Sequence, residues 1–281
     1  MAIIMHLFSP AKINLFLQIL GARADGYHEL VTCMQTISLG DYISISLATH
    51  ESLTCTNPQL PVDENNLILK ATRLFRAKTG SVQQFKIHLT KNIPMQAGLG
   101  GGSSNAATIL WGCNQLLHTN IPLCTLQTWS AELGSDVPFF LSLGTAYCTG
   151  RGELIENLNP LPKRRLWIVK PTFGLSTPQV YRQLKATSRE SMKAIPVSTI
   201  LSGEMPLFND LERPSFEICP ELEVLKRQLQ TQSYQVLMCG SGSALFCFGA
   251  EAVPTAPNTK IFSCSFTNRS AKEWFNANAN F

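Results

Sequence analysis

Residues 94–108 read Pro94-Met95-Gln96-Ala97-Gly98-Leu99-Gly100-Gly101-Gly102-Ser103-Ser104-Asn105-Ala106-Ala107-Thr108, and an apolar helical run continues through Ile109, Leu110 and Trp111. Glycine lets the backbone adopt positive φ and lets a ligand approach with no Cβ in the way. Successive amide N–H groups in such a loop form a concave anion nest. A helix that starts at the serines, spanning about 103–117, adds its unpaired N–H groups and the positive end of its dipole. The stretch is therefore read as a phosphate cradle. No Lys follows the glycines, so it is not the G-x-x-x-x-G-K-[ST] loop.

Two other readings compete. A flexible Gly/Ser linker does not run into a strong helix former. A dinucleotide fingerprint, suggested by Gly98-x-Gly100, needs an acidic residue roughly 20 positions later. No Asp or Glu lies between Lys91 and Glu132, which argues against a nicotinamide-dependent oxidoreductase.

Working outward, Phe85, Ile87 and Leu89 alternate with Lys86, His88 and Thr90, a strand that feeds the loop. Ala11, Ile13, Leu15 and Leu17 alternate with Lys12, Asn14, Phe16 and Gln18. That strand sets Lys12 and Asn14 on one face, opposite an aliphatic row. Asp25-Gly26 marks a turn, Tyr42–Leu47 a strand after Gly40-Asp41, 67–77 a helix and 125–133 another. Gly144 to Arg151 is read as a chain turn, and Leu154–Leu158 leads to Pro160 and Pro162. A domain boundary is placed there, between 157 and 158. Leu166–Val169 is a buried strand, residues 171–206 are loops and short helices, and 222–229 is an amphipathic helix. Val236–Phe248 is uncharged but split by Gly240-Ser241-Gly242-Ser243. It is too short for a membrane span and reads as strand–loop–strand or strand–loop–helix. The tail from Asn276 to Phe281 is expected to fray. Strands and helices mix without a strict βαβ rhythm, which favours an α+β architecture.

With 281 residues, 44% of them apolar and 15% charged, the chain has ample core for a globular enzyme. The formal net charge of +4 suits anionic small substrates. It does not point to nucleic acid, since no basic cluster exceeds Lys163-Arg164-Arg165. Nine Cys are scattered with no C-x-x-C, which suggests buried, reduced thiols and a cytoplasmic setting. The five His show no metal-ligand spacing. The N-terminus lacks a basic region before its apolar stretch, so a signal peptide is not expected. No obligate protein partner is evident.

Several polar residues have two readings on their own chemistry. Asp136, after Gly134-Ser135 and two before Pro138, suits a helix N-cap; aspartate is also a candidate proton acceptor. Asn66 could cap the helix that follows it. Lys91 could be a solvated loop residue, and Tyr27 a hairpin ring covering the core.

Five segments together resemble the GHMP kinases (galactokinase, homoserine kinase, mevalonate kinase, phosphomevalonate kinase): Ser9-Pro10-Ala11-Lys12-Ile13-Asn14-Leu15, Arg23-Ala24-Asp25-Gly26-Tyr27-His28-Glu29-Leu30, the glycine loop, Leu133-Gly134-Ser135-Asp136-Val137-Pro138, and Gly240–Ser243. The glycine loop carries the superfamily resemblance. The first two segments resemble the branch that phosphorylates the 2-hydroxyl of 4-diphosphocytidyl-2-C-methyl-D-erythritol, in the non-mevalonate route to isoprenoid precursors. The resemblance implies a two-domain α+β fold: an N-terminal ribosomal-protein-S5-domain-2-like domain over 1–157, a C-terminal ferredoxin-like domain over 158–281, and the site in the cleft between them. It implies ATP as phosphoryl donor with Mg²⁺ resting on ATP oxygens and water, and no protein metal ligand. Asp136 would be the base, Lys12 would keep it ionised and stabilise the transferring group, and Asn14 would orient the hydroxyl. Tyr27, His28, Thr177 and Tyr181 would hold the cytidylyl end. Asn66, Lys91, Pro94, Gly98, Leu99, Gly100, Gly101, Gly102, Ser103 and Ser104 would hold ATP. The chain departs from the family pattern in having Gln96-Ala97 where glycines are common and Tyr181 where Phe is common. Two further kinds of protein are weighed: a different GHMP kinase, which the Asp25–Leu30 segment argues against, and an inactive nucleotide sensor, which intact Lys12 and Asp136 argue against.

Overall fold

A hairpin of unusual length organises the chain. In a computed structural model that describes residues 3–184, 193–201, 206–232, 234–249 and 252–276, β1 (Ile4–Ala22) and β2 (His28–Ala48) pair antiparallel along nearly their whole lengths. The Asp25-Gly26 turn joins them, with Arg23 N donating to Tyr27 O at 2.8 Å. The strand expected at Tyr42–Leu47 is the second half of β2. Gly40-Asp41 does not end it. Register passes from Pro10↔Gly40 to Ala11↔Ile37, so Ser38 and Leu39 are accommodated as a bulge. Gly40 is needed there because a Cβ would lie 2.3 Å from the Phe8 ring.

β3 (Ser52–Cys55) and β4 (Gln84–Thr90) run parallel, connected through α1 (Leu67–Thr79). β4 pairs with the second half of β2. α2 (Gly101–Leu116) packs across this sheet, followed by α3 (Leu123–Ser130) and the single-turn α4 (Val137–Phe140). α2 begins two residues before the expected start, so Gly101 and Gly102 are helical. The segment read as a turn is β5 (Thr145–Thr149), which pairs with Thr32–Gln35 of β2 and with β6 (Leu154–Asn157). Five residues are too few for periodicity to declare a strand; its partner does.

β7 (Arg165–Pro171) starts a second sheet. Then come α5 (Thr177–Gln183), α6 (Val197–Leu201), β8 (Phe208–Asn209), α7 (Glu212–Ile218) and α8 (Pro220–Gln230). β9 (Gln235–Met238), β10 (Leu245–Phe248) and β11 (Thr259–Ser265) complete the sheet. Val236–Phe248 is thus strand–loop–strand. The order β11-β7-β10-β9 is fully antiparallel. Taken in chain order it is 4-1-3-2, that of the ferredoxin-like split βαβ. β8 leaves this body and adds in parallel to β1 at Phe16 and Leu17. Residues 185–192, 202–205 and the tail 277–281, parts of the stretches read as loops and as fraying, lie outside the described residues.

One apolar cluster sits between the first sheet and α1–α4, with Phe75, Phe85, Phe139 and Phe140 fully buried. A second joins Ala11, Ile13 and Leu15 of β1 to Ile168 and Phe246 of the second sheet. The aliphatic row of β1 therefore glues the two sheets together, and its polar row is left facing the cleft. Among the described residues no helix is long and apolar enough to cross a membrane.

Candidate active site

β1 delivers Lys12 and Asn14 into a cleft of about 1080 Å³. Lys12 is only 3% exposed. Its Nζ donates to Asn14 Oδ1 at 2.7 Å and lies 3.3 Å from Asp136 Oδ2. Asn14 Nδ2 donates to Thr32 Oγ1 at 2.9 Å, and Thr32 Oγ1 donates to Phe16 O at 2.5 Å. Each polar atom in this row has a partner, which burial requires. Asp136 sits at the N-cap position of α4, yet its side chain makes no capping bond. Its carboxylate, 34% exposed, turns toward Lys12 and the cleft. It is the one carboxylate among the described residues lining that cleft, where Lys12, Arg151 and Arg182 also stand. Such a balance favours anionic ligands.

The glycine loop forms the facing wall. Lys12 N donates to Leu99 O at 3.0 Å, which ties the loop to β1. Gly100, at φ 69°, is the N-cap of α2. A Cβ there would lie 2.8 Å from Phe140 Cζ and 3.1 Å from Lys12 Cγ. By helix geometry the amides of Gly101, Gly102 and Ser103 have no partner one turn back. Gly102 and Ser103 line the cleft. Gly98 serves a different end: at φ 73°, its Cβ would fall 1.8 Å from Cys239 O. Its bare backbone lets the loop between β9 and β10 dock, where Ser243 N reaches Gln96 O and Ala244 N reaches Ala97 O, both at 3.2 Å.

The aromatic end lies near the start of β2. His28 and Tyr181 have ring centroids 5.3 Å apart, tilted 41°. Burial lowers the His28 pKa from its ordinary value. Burial raises that of Tyr181, and the Asp136 charge adds to the rise. Tyr27 is half exposed, and the Arg151 guanidinium lies 4.6 Å from its ring centroid. Thr177, the first residue of α5, shares a 2.7 Å hydrogen bond with Ser241.

The cleft brings together Lys12, Asn14, Tyr27, His28, Asn66, Lys91, Pro94, Gly98 through Ser103, Asp136, Thr177 and Tyr181. Ser104 is not on its wall. It is fully buried, with its hydroxyl 2.8 Å from Ser9 Oγ. Asn66 caps α1, accepting from Ile68 N at 2.9 Å. Lys91 is not solvated. It pairs at 2.8 Å with Asp41, which is 0% exposed and also accepts from Asn92 N, Ile93 N and Asn105 Nδ2. Burial lowers the Lys91 pKa while Asp41 opposes the fall.

Sequence reasoning missed Arg151, Thr32 and Asp41. Arg151 lies in Gly150-Arg151-Gly152-Glu153, and a charged residue between glycines was the available signal. The other two are ordinary strand residues until their partners are known. Among the described residues no three His, Cys, Asp or Glu side chains converge as a metal site.

Residues 66–144 match the family described as "GHMP kinases N terminal domain". The 4-diphosphocytidyl-2-C-methyl-D-erythritol kinase of Protochlamydia amoebophila (strain UWE25) is 52% identical over 271 residues, covering 96% of this chain and 92% of that protein. The chloroplastic enzyme of the same name from Oryza sativa subsp. japonica is 42% identical over 291 residues, 96% of this chain and 73% of that protein. Among solved structures, a crystal structure of 4-(cytidine 5'-diphospho)-2C-methyl-D-erythritol kinase superposes with a TM-score of 0.76 at 32% identity, covering 93% of this chain and 99% of that one. A homoserine kinase from Cytophaga hutchinsonii, at TM-score 0.67 and 17% identity over 95% and 96% of the two chains, shares the fold.

Proposed function

The chain belongs to the 4-diphosphocytidyl-2-C-methyl-D-erythritol kinases, a branch of the GHMP kinases, and we propose that Lys12 and Asp136 carry its phosphoryl transfer. The reaction moves the γ-phosphoryl group of ATP to the 2-hydroxyl of 4-diphosphocytidyl-2-C-methyl-D-erythritol. Asp136 takes the hydroxyl proton as the oxygen bonds to the γ-phosphorus, and the bond to the bridging oxygen breaks to release ADP. Lys12, fixed by Asn14, stabilises charge on the transferring group. The observation that carries this reading is a buried lysine 3.3 Å from Asp136, the one carboxylate that the described residues bring to the cleft, facing the start of α2.

ATP phosphates sit against the amides of Gly101, Gly102 and Ser103. Gly98, Leu99, Gly100 and Ser104 shape that loop from behind, and Asn66, Lys91 and Pro94 flank it. Tyr27, His28, Thr177 and Tyr181 take the cytidylyl end. Mg²⁺, a hard cation that favours oxygen ligands and retains water, would rest on the oxygens of ATP and on water beside the loop, and would supply charge neutralisation when bound. The proposal divides the chain at 157/158, supported by the two separate sheets. It puts the enzyme in the cytoplasm, supported by an odd set of nine free cysteines, six of them buried, and calls for no obligate protein partner.

The test is incubation with Mg-ATP and a panel of alcohols: the cytidylyl substrate, methylerythritol 4-phosphate, homoserine and mevalonate. Mass spectrometry should find one added phosphoryl group on the cytidylyl substrate alone. Equal phosphorylation of methylerythritol 4-phosphate would defeat the assignment of the aromatic end.

A further inference from the structure

After the second sheet the chain returns to the first body. After β11, Phe266 bridges to Ile37 and Thr267 N donates to Thr36 O at 3.0 Å, both on β2. Thr36 Oγ1 donates back to Thr267 O at 2.5 Å, and Asn268 Oδ1 accepts from Thr145 Oγ1 at 2.9 Å. Farther on, Trp274 stacks on Trp111 of α2 with centroids 5.1 Å apart, and its Nε1 donates to Phe8 O at 2.8 Å. Residues 266–275 thus form a strap laid back over the first body.

Arg269 is the charged member of this strap, and only 7% exposed. Among the described residues it pairs with no carboxylate. Its guanidinium spends itself on four backbone carbonyls: Nε on Ser142 at 2.8 Å, Nη2 on Leu141 at 2.7 Å, and Nη1 on Ser270 at 3.2 Å and Glu273 at 3.1 Å. Its own backbone N–H donates to Leu143 O at 3.0 Å. Leu141 and Ser142 are the residues that close α4, and Asp136 stands at the other end of that single turn. Helix-end carbonyls lack partners within the helix and carry its negative pole, so a buried cation there satisfies both needs. Burial lowers the Arg269 pKa only to about 10, so the guanidinium keeps its charge at neutral pH.

We propose that Arg269 is a positioning residue for phosphoryl transfer. It clamps the C-terminal end of α4 so that Asp136, five residues before the first clamped carbonyl at Leu141, holds its place beside Lys12. The opposite side of α4 is held by Phe140 against the glycine loop, close enough that a Cβ on Gly100 would lie 2.8 Å from it. A four-residue helix has too few internal hydrogen bonds to keep itself in place. The clamp must come from outside, and only a planar fork reaches several carbonyls at once. The inference rests on Asp136 being the base.

The experiment compares Arg269→Lys, Arg269→Ala and Trp274→Phe in the full chain, with kcat expressed per molecule able to bind ATP. Displacing a reacting group by about 1 Å costs on the order of 100-fold in rate. Arg269→Ala should therefore lose about 10- to 100-fold in kcat, with both KM values within about threefold, and should recover activity when guanidinium is added. Arg269→Lys, which keeps the charge but not the fork, should fall between it and the parent and serves where the alanine variant does not fold. Trp274→Phe keeps an aromatic ring beside Arg269, whose guanidinium carbon lies 5.1 Å from the Trp274 ring centroid, and loses the Nε1 bond to Phe8 O, so it should lower the melting temperature but leave kcat per competent molecule within about twofold. An unchanged kcat in Arg269→Lys, or an equal loss in Trp274→Phe, would overturn the proposal. Asp136→Asn separates the two ideas: if it stays active, the base assignment fails first; if it is dead while Arg269→Lys is fully active, only the clamp fails.

Discussion

Gly98→Ala should destabilise the fold before it touches ATP chemistry. Gly98 lies at φ 73°, where a residue with a Cβ costs roughly 1–2 kcal/mol. The added methyl would fall 1.8 Å from Cys239 O and 2.7 Å from its carbonyl carbon. Non-bonded atoms need about 3.5 Å, so the β9–β10 loop must retreat. That retreat strains the bonds from Ser243 N to Gln96 O and from Ala244 N to Ala97 O, each contributing about 0.5–1.5 kcal/mol. Together the loss is about 2–5 kcal/mol. At ~2–4 °C per kcal/mol for a chain of this size, the melting temperature should drop by roughly 4–20 °C. Gly102→Ala is the control: its Cβ would meet only Leu67 Cδ1 at 3.4 Å, ordinary contact. It should change the melting temperature little. Calorimetric melting with and without ATP, alongside ATP titration of the folded variants, separates the effects. A Gly98→Ala protein that melts with the parent, yet has lost ATP affinity, would refute the docking role and return Gly98 to the phosphate nest.

Asp136→Asn keeps the volume and removes the charge; kcat should fall by more than about 100-fold, within the range typical of general-base loss, with ATP binding and melting temperature nearly unchanged, as steady-state kinetics and calorimetry would report. Tyr181→Ala should raise KM for the cytidylyl substrate by roughly one to two orders of magnitude, since base stacking contributes about 1–3 kcal/mol, while KM for ATP stays put; a parallel rise in both would point to general damage. Asp41→Asn strands Lys91 and weakens five buried or part-buried hydrogen bonds, so the melting temperature should fall and ATP affinity with it, measurable by differential scanning fluorimetry. Acidification has a definite sign at His28: burial lowers its folded pKa, the unfolded chain therefore binds more protons below about pH 6.5, and stability should decline as pH falls through that value. His28→Gln should flatten this slope in melting curves taken between pH 7.5 and 5.5.

Alternation at Lys12 to Gln18, the glycine run, and the Asp25-Gly26 turn were legible because each is a short-range pattern: spacing of two for a strand, absent side chains for a loop, a turn dipeptide. They were enough for the architecture class and the main strands and helices; the residues expected to meet in the cleft came from the resemblance to the GHMP kinases. What a given polar group does there was decided by partners far along the chain. Lys91 looked like a free cation until Asp41, 50 positions away, neutralised it. Ser104 sits one residue past a serine that lines the cleft, yet its hydroxyl turns inward to Ser9, 95 positions away. Gly98 and Gly102 are indistinguishable as letters, and only the docked loop at Cys239 separates a packing glycine from an open one. β5 became a strand because β2 offered an edge. Arg269 closes α4 across 127 positions. Local chemistry decides which groups are available; burial makes an unpartnered polar group costly, so the tertiary structure spends most of them on each other and leaves a few facing the cleft.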